Sequence, residues 1–300
     1  MDDKTIAIMV GYKDRPTELS LLLQSLRTQT NKNFHVFVSD DCSGTPIQAY
    51  HFLTCILNKM NDEGNFVYYT RNDFNLGVSK NRQKLIENVK KAGDYKLVCR
   101  IDDDCILEPD YIEQLMEVIN QGYDLASGVV PFIGQPQFKR EARFITPIGN
   151  KVILDNKGEL LVNMDDFGMQ YFDKQILPIH HFRSCALYKM EMHDKVDYNS
   201  RLTKHGFREE QILSFKMILN GYKLGVNTHA VAWHLLTPSG GERFAESGEM
   251  VKLNEQVMKE WVKEMYEKHE DFISKYNEKL GIKIEYKMED SYHPANLIKI

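Results

Sequence analysis

Through its first 130 residues the chain alternates strand-like and helical patterns, and this alternation limits its fold more than any other feature. Apolar runs KTIAIMV (4–10), FHVFVSD (34–40), NFVYYT (65–70), YKLVCRID (95–102) and DLASGVV (124–130) read as strands. Between them, apolar residues recur at helical spacing. Leu19, Leu22, Leu23 and Leu26 form one stripe, and Ala49, Leu53, Ile56, Leu57 and Met60 a second. Leu85, Ile86 and Val89 follow, then Ile112, Leu115, Met116 and Ile119. Such alternation predicts βαβ units in an α/β fold, with a mostly parallel central sheet and helices on both faces.

After Pro131 the rhythm breaks. VILDNKGELLVN (152–163) reads as a hairpin with Asn-Lys-Gly turn chemistry, set among irregular segments. A helix is expected near 208–220 and a strand near 223–231, followed by a Gly- and Ser-rich loop, TPSGGERFAESGE, at 237–249. One long helix is predicted from there to about Tyr276, with Val257, Trp261, Met265, Phe272 and Tyr276 along one stripe. Its other face mixes Lys and Glu, so the stripe is expected to dock on the domain or on a second subunit, making a homodimer possible.

Charge and composition exclude several classes. The net charge of −5 is spread along the chain with no basic stretch, which argues against nucleic acid as a partner. No apolar run reaches the 18 residues of a membrane span, and the acidic N-terminus lacks the pattern of a signal peptide. Five cysteines without CxxC spacing read as reduced thiols, so a cytoplasmic location is expected.

In open parallel sheets ligands sit beyond the carboxyl ends of the strands. Strand one ends in VGYKDRP, strand two in SDDCS and strand four in Asp102, Asp103 and Asp104. No GxGxxG or GxxxxGK[ST] follows strand one, so dinucleotide dehydrogenase and P-loop chemistry are not indicated. Three adjacent carboxylates repel one another unless something neutralises them. Along an extended chain Asp102 and Asp104 point to one side and Asp103 to the other. The two on one side form a hard-oxygen site suited to Mg²⁺ or Mn²⁺, whereas a solvated acidic turn is the other reading.

Six segments then resemble, in order, the motifs of family 2 inverting glycosyltransferases with the GT-A fold. GYKDRP resembles the nucleotide-binding turn, and SDDCS resembles VDDGS. NDFNLGVSKNR is similar to NxxNxGxxxARN, and IDDDCILEPDYIE to the DxD strand and the helix after it. GFREEQILSFKMILNGYKL is similar to the GxED helix, and Trp233-His234 to the late histidine ligand. The likeness runs from about residue 4 to 235. In three places the chain departs from the pattern: the ED pair is Glu209-Glu210, the acidic residue two positions later is Ile212, and the glycine before the pair is displaced to Gly206.

The resemblance implies a GT-A domain over residues 1–235, with donor binding in 1–133 and acceptor binding and catalysis in 134–235. A lid loop and helical extension would fill 236–300. It places Asp41 on the base with Tyr12 stacking on it or flanking it, and Lys13, Arg15 and Arg82 beside the nucleotide. Asp102 and Asp103 would face the nucleotide, Asp104 and His234 would hold Mn²⁺ or Mg²⁺, and Arg243 would close over the diphosphate. Glu210 would act as base and Glu209 would contact the acceptor. The implied activity is inverting transfer from a nucleotide-diphosphate sugar, UDP-linked, to the hydroxyl of a glycan or other acceptor. Two rivals remain. One is a phosphatase of the haloacid dehalogenase type, although its DxD sits on the first strand. The other is a homologue that binds sugar nucleotides without turnover.

Overall fold

The structure, a computed structural model, describes residues 4–133, 143–145, 152–154, 160–162, 169–171, 174–179, 181–198, 200–242 and 247–268. Its first half follows the predicted alternation: β1 (Ile6–Tyr12), α1 (Pro16–Arg27), β2 (Phe34–Asp40), α2 (His51–Asp62), β3 (Val67–Arg71), α3 (Val78–Ala92) and β4 (Leu97–Asp102). A short β5 (Cys105–Leu107), α4 (Tyr111–Asn120) and β6 (Leu125–Val129) follow. Beyond them come β7 (Arg143–Ile145), β8 (Val152–Leu154), β9 (Leu160–Val162), β10 (Met169–Tyr171), β11 (Ile176–Pro178) and β12 (Ala186–Lys189). The described chain closes with α5 (Glu209–Leu219), β13 (Leu224–His234) and α6 (Ser247–Lys268).

The main sheet runs β11-β13-β6-β12-β4-β1-β2-β3, with β5 paired to β13. Parallel pairing holds for β3-β2-β1-β4 and for β6-β13. The sheet is more mixed than the alternation predicts, because β12 enters antiparallel between β4 and β6. That strand has four residues, three of them buried, so it shows no alternation that a sequence reading could detect. The expected hairpin is present as β8 and β9, paired antiparallel from Val152↔Val162 to Leu154↔Leu160.

Helices cover both faces. Successive residues of β1 divide between them: Ile6, Ile8, Val10 and Tyr12 join α1, α2 and α4 in one core, while Ala7 and Met9 face α3 and α5 in the other. Trp261 of α6 stacks on Phe215 of α5 at 6.3 Å, with Met258 buried beside it. The described part of the predicted apolar stripe, Val257 and Trp261, is thus docked on the domain, while Leu253 on the same helix stays exposed. Residues 269–276, the end of that predicted helix, lie outside the described residues.

Two features of this topology build the site. In-register pairing of Gly11 with Asp102 and of Tyr12 with Asp40 brings the carboxyl ends of β1, β2 and β4 to one edge. β13 then runs past that edge and pairs with β5, setting His234 opposite Cys105 and beside the aspartates. No helix among the described residues is long and apolar enough to cross a membrane.

Candidate active site

A cavity of about 340 Å³ opens over these strand ends. Its walls include Tyr12, Lys13, Arg15, Asp41, Arg82, Asp102, Asp103, Asp104, Glu210 and His234. Residues predicted from segments 220 positions apart thus share one chamber. Of the other two predicted site residues, Glu209 lies behind the wall, and Arg243 lies outside the described residues.

Asp104 is buried, with Arg15 Nη1 3.1 Å from one oxygen and His234 Nε2 3.6 Å from the other. Ligand atoms of Asp102, Asp104 and His234 lie within 4.8 Å of one another. Two carboxylate oxygens and one imidazole nitrogen suit Mn²⁺ or Mg²⁺, with the nitrogen favouring Mn²⁺. His234 Nδ1 accepts the Leu236 N–H at 2.9 Å, which assigns the proton of the neutral ring to Nε2. Ligation through Nε2 would take the other neutral tautomer, with the proton on Nδ1 and the Leu236 hydrogen bond given up. The donor set fits a divalent cation, and so does the charge, since six carboxylates line the cavity against three cations.

Asp103 does not follow the alternation expected of a strand: β4 ends at Asp102, and Asp103 lies with Asp104 in the turn that follows, accepting from Arg15 Nη1, which it shares with Asp104, at 2.9 Å and from the Lys13 N–H at 3.3 Å. Burial raises its pKa to about 7 against the pull of Arg15, and the Asp104 charge adds to the rise. Asp102 is held instead by Arg82 Nη2, and its pKa falls because Arg82 and Arg100 outweigh its desolvation.

The glutamate pair divides between two environments. Residues adjacent on a helix diverge by about 100°. Glu209 therefore turns inward, 1% exposed, where Oε1 accepts from Arg82 at 2.6 Å and Arg100 at 2.7 Å and Oε2 accepts from Ser79 at 3.2 Å. It offers no surface for the acceptor contact the sequence suggested. Glu210 faces the cavity, with Oε1 held by Arg100 Nη2 at 2.7 Å.

Tyr12 and Asp41 also differ in detail from expectation. The Tyr12 ring is 1% exposed and belongs to the core that β1 shares with α1 and α2, so stacking on a base would require it to leave that core. The Asp41 carboxylate is engaged by Asn72 Nδ2 and by the Leu76 and Gly77 N–H groups at 2.8–2.9 Å. It closes the loop that starts α3. Lys13 Nζ donates to the Asp41 and Cys42 carbonyls.

Sequence reasoning missed two site residues, Arg100 and Glu242. Arg100 is 1% exposed and clamps both glutamates. Its signal was a charged residue inside the apolar strand YKLVCRI, since a buried arginine demands partners. Glu242 lines the cavity from within the predicted lid loop, where only the fold could place it.

Comparison with known proteins decides the family. The profile described as "Glycosyl transferase family 2" matches residues 7–196. The chain belongs to this glycosyltransferase family. The chain is 32% identical over 119 residues to an uncharacterized glycosyltransferase of Haemophilus influenzae, an alignment covering 39% of this chain and 35% of that protein. S. aureus TarS (1–349), solved in complex with UDP-GlcNAc, superposes with a TM-score of 0.55 at 13% identity, covering 83% of this chain and 64% of that one. GalNAc-T7 with UDP, GalNAc and Mn²⁺ gives 0.60 at 13% identity, covering 92% and 54%. The chain thus spans less than two thirds of each of these relatives, and the structural likenesses establish the GT-A fold of this family 2 member. Its Asp102-x-Asp104 stands at the end of β4, which is the wrong strand for a haloacid dehalogenase.

Proposed function

We propose that this chain transfers a glycosyl group from a UDP-linked sugar to an acceptor hydroxyl by a single in-line displacement that inverts the anomeric carbon. The observation carrying this reading is that Glu210 and the Asp102, Asp104 and His234 triplet line one cavity. UDP-GlcNAc bound to TarS, and UDP with Mn²⁺ bound to GalNAc-T7, support the donor class and the metal.

Asp104 and His234 would hold Mn²⁺ or Mg²⁺, with Asp102 beside them. The bound cation supplies positive charge that stabilises the departing diphosphate. In an acidic cavity that charge also makes room for an anionic donor. Glu210 accepts the proton of the acceptor hydroxyl as its oxygen attacks, a role typically worth about 10²–10⁴ in rate. Arg100 fixes one oxygen of Glu210 and leaves the other for the acceptor. Arg82 ties Asp102 to Glu209 and so keeps the donor and acceptor sides in one frame. Segment 134–200, only partly described, is assigned to acceptor binding, and loop 237–249 to closure over the donor. Sugar-nucleotide use and five free thiols agree with a cytoplasmic location.

Thermal shift against a panel of nucleotide sugars, with and without Mn²⁺, tests the donor assignment. Stabilisation of about 2.7 kcal/mol is expected at 100 times Kd. Glycosyl transfer or hydrolysis with the stabilising sugar then separates an enzyme from a binding protein. A panel in which no nucleotide sugar stabilises the protein defeats the proposal.

A further inference from the structure

Among the described residues, five that are not glycine have positive φ: Asp14, Cys42, Ser184, Arg208 and Leu236. Each lines the cavity or stands within two residues of one that does. Backbone strain gathered in this way points to function. Arg208 carries the largest conflict. It is the N-cap of α5, with φ +77° and ψ 5°, and it directly precedes Glu209 and Glu210. The left-handed region is disfavoured for any residue with a Cβ, and glycine is the usual occupant. N-caps favour Ser, Thr, Asp or Asn, whose side chains bond first-turn N–H groups, and Arg208 makes no such bond. A cation at this end also opposes the helix dipole. Three local preferences are broken at one position.

The compensation lies in the side chain. Its guanidinium sits over the Phe207 ring, 4.3 Å from the centroid, and Nη2 donates to Glu255 of α6 at 3.0 Å. α6 holds the preceding segment at two further points. Buried Asn254 accepts the Thr203 N–H at 2.8 Å, and Glu264 pairs with Arg201 at 3.2 Å. From the other side the segment is fixed to α3. The Val78 N–H donates to the Lys204 carbonyl at 2.9 Å, and a Cβ on Gly206 would lie 2.6 Å from Val78 Cβ. Residues 201–208 are thus clamped between α3 and α6 as they enter α5, and the Arg208–Glu255 pair is the last bond of the clamp before the glutamates. Its side chains are 19% and 43% exposed. A pair this open contributes little to stability, so its effect is on geometry.

We infer that Arg208 is a positioning residue for Glu210, anchored by Glu255: the pair sets the first turn of α5 so that the Glu210 carboxylate faces the cavity. This assignment rests on the reading above in which Glu210 is the base. Arg100 fixes the carboxylate of Glu210, and Arg208 fixes the backbone from which that side chain projects. A displacement of about 1 Å in a reacting group costs about 10² in rate, so a small turn of the helix start is enough. Both α5 and α6 lie beyond residue 196, where the profile match ends, so the family likeness does not supply this contact.

The experiment is a double-mutant cycle on the full chain in Mn²⁺, with water as the acceptor. Release of UDP is followed from UDP-glucose, UDP-galactose, UDP-GlcNAc and UDP-GalNAc. Arg208→Gly removes the anchor and relieves the backbone, so the melting temperature should hold or rise. In the otherwise wild-type chain it should lower kcat about tenfold and leave KM for the donor unchanged, a loss within the typical worth of a general base. In the Glu210→Gln background it should lower kcat no further, because it acts only through the base. Glu255→Gln should give a smaller loss of the same kind, and Arg208→Lys, which keeps the cation, should retain most of the rate. Wild-type kcat in Arg208→Gly, beside a slow Glu210→Gln, overturns the inference and leaves the base assignment standing. A further loss in the Glu210→Gln background also overturns it, since an effect routed through Phe207 would persist there. If Arg208→Gly does not fold, Glu255→Gln at the more exposed partner carries the cycle by the same criteria. Wild-type kcat in Glu210→Gln removes the base, and the inference falls with the reading it rests on. Release of UDP from none of these donors defeats both.

Discussion

Arg100 Nη2 lies 2.7 Å from the carboxylate of Glu210, and Nη1 of the same guanidinium lies 2.7 Å from Glu209. A single arginine on the central strand β4 thus sets both members of the pair at the start of α5. Its planar fork makes two divergent bonds that an ammonium cannot reproduce. Phe182 lies against the guanidinium, 5.2 Å from its centre to the ring centroid, and completes the burial. The link matters because β4 also carries the aspartates at its end, so the acid cluster and the glutamates share one rigid support.

Replacing Arg100 should expose how far stability and site geometry depend on that link. Arg100→Met leaves Glu209, 1% exposed, with one guanidinium fewer, and breaking a buried pair in this way costs about 3–5 kcal/mol. Arg100→Lys keeps the charge but not both bonds, so its loss should be smaller while transfer still falls. Urea denaturation of the two variants reads the first effect. Equal midpoints for wild type and Arg100→Met would show the clamp to be energetically idle.

The two glutamates should separate cleanly by substitution. Glu210→Gln keeps shape and an acceptor oxygen for Arg100 but loses basicity, so transfer is expected to drop by about 10² or more with donor affinity unchanged and a smaller loss of stability than Glu209→Gln shows. Glu209→Gln removes the charge between Arg82 and Arg100 and should act first on stability, lowering the melting temperature. Rates and melting curves measured on both proteins decide this. A Glu209→Gln enzyme that is stable and inactive, beside an active Glu210→Gln, reverses the assignment.

Much of the fold was legible because helical and strand periodicities persist over the first 130 residues. α5 and the β8–β9 hairpin were legible for the same local reasons. β12 was not, since a four-residue strand is placed by the neighbours it pairs with. In the site, the acidic triplet was legible but its geometry was not, because β4 ends at Asp102 and Asp103 and Asp104 lie in a turn, and the resemblance supplied His234, whose partner β5 is set by tertiary pairing. It could not supply the inward turn of Glu209 or the engagement of Asp41 by the loop before α3. Both depend on partners more than 30 residues away.

Acid should weaken the protein through His193. Its ring stacks on Tyr198 and touches Tyr188, and Nδ1 lies 3.1 Å from the Val196 carbonyl. Burial lowers its pKa from 6.5 to about 4. Between those values the unfolded chain binds a proton that the folded chain refuses, so stability falls as pH drops from about 6.5 toward 4. At 1.36 kcal/mol per pKa unit the loss reaches at most about 3 kcal/mol. His193→Gln cannot titrate, and the difference in unfolding free energy between it and wild type should shrink across that window. Parallel stability curves for the two proteins would falsify this role.

Asp104→Asn tests the metal assignment through opposite effects on one ligand. The side chain is 2% exposed and keeps its size on substitution, and Arg15 retains its bond to Asp103, so the fold should hold. Removing one ligand charge should lower Mn²⁺ affinity at least tenfold, since even residues that only support a ligand change it by 10–100-fold. UDP binding in the presence of Mn²⁺ should weaken in step. Without metal the sign reverses: the cavity loses one of its six carboxylates, Arg15 is freed from a competing anion, and UDP should bind the variant at least as well as wild type. Calorimetry in Mn²⁺ and in chelator measures both arms. Loss of UDP affinity in both conditions alike would point to a disrupted pocket, and unchanged Mn²⁺ affinity would remove Asp104 from the ligand set.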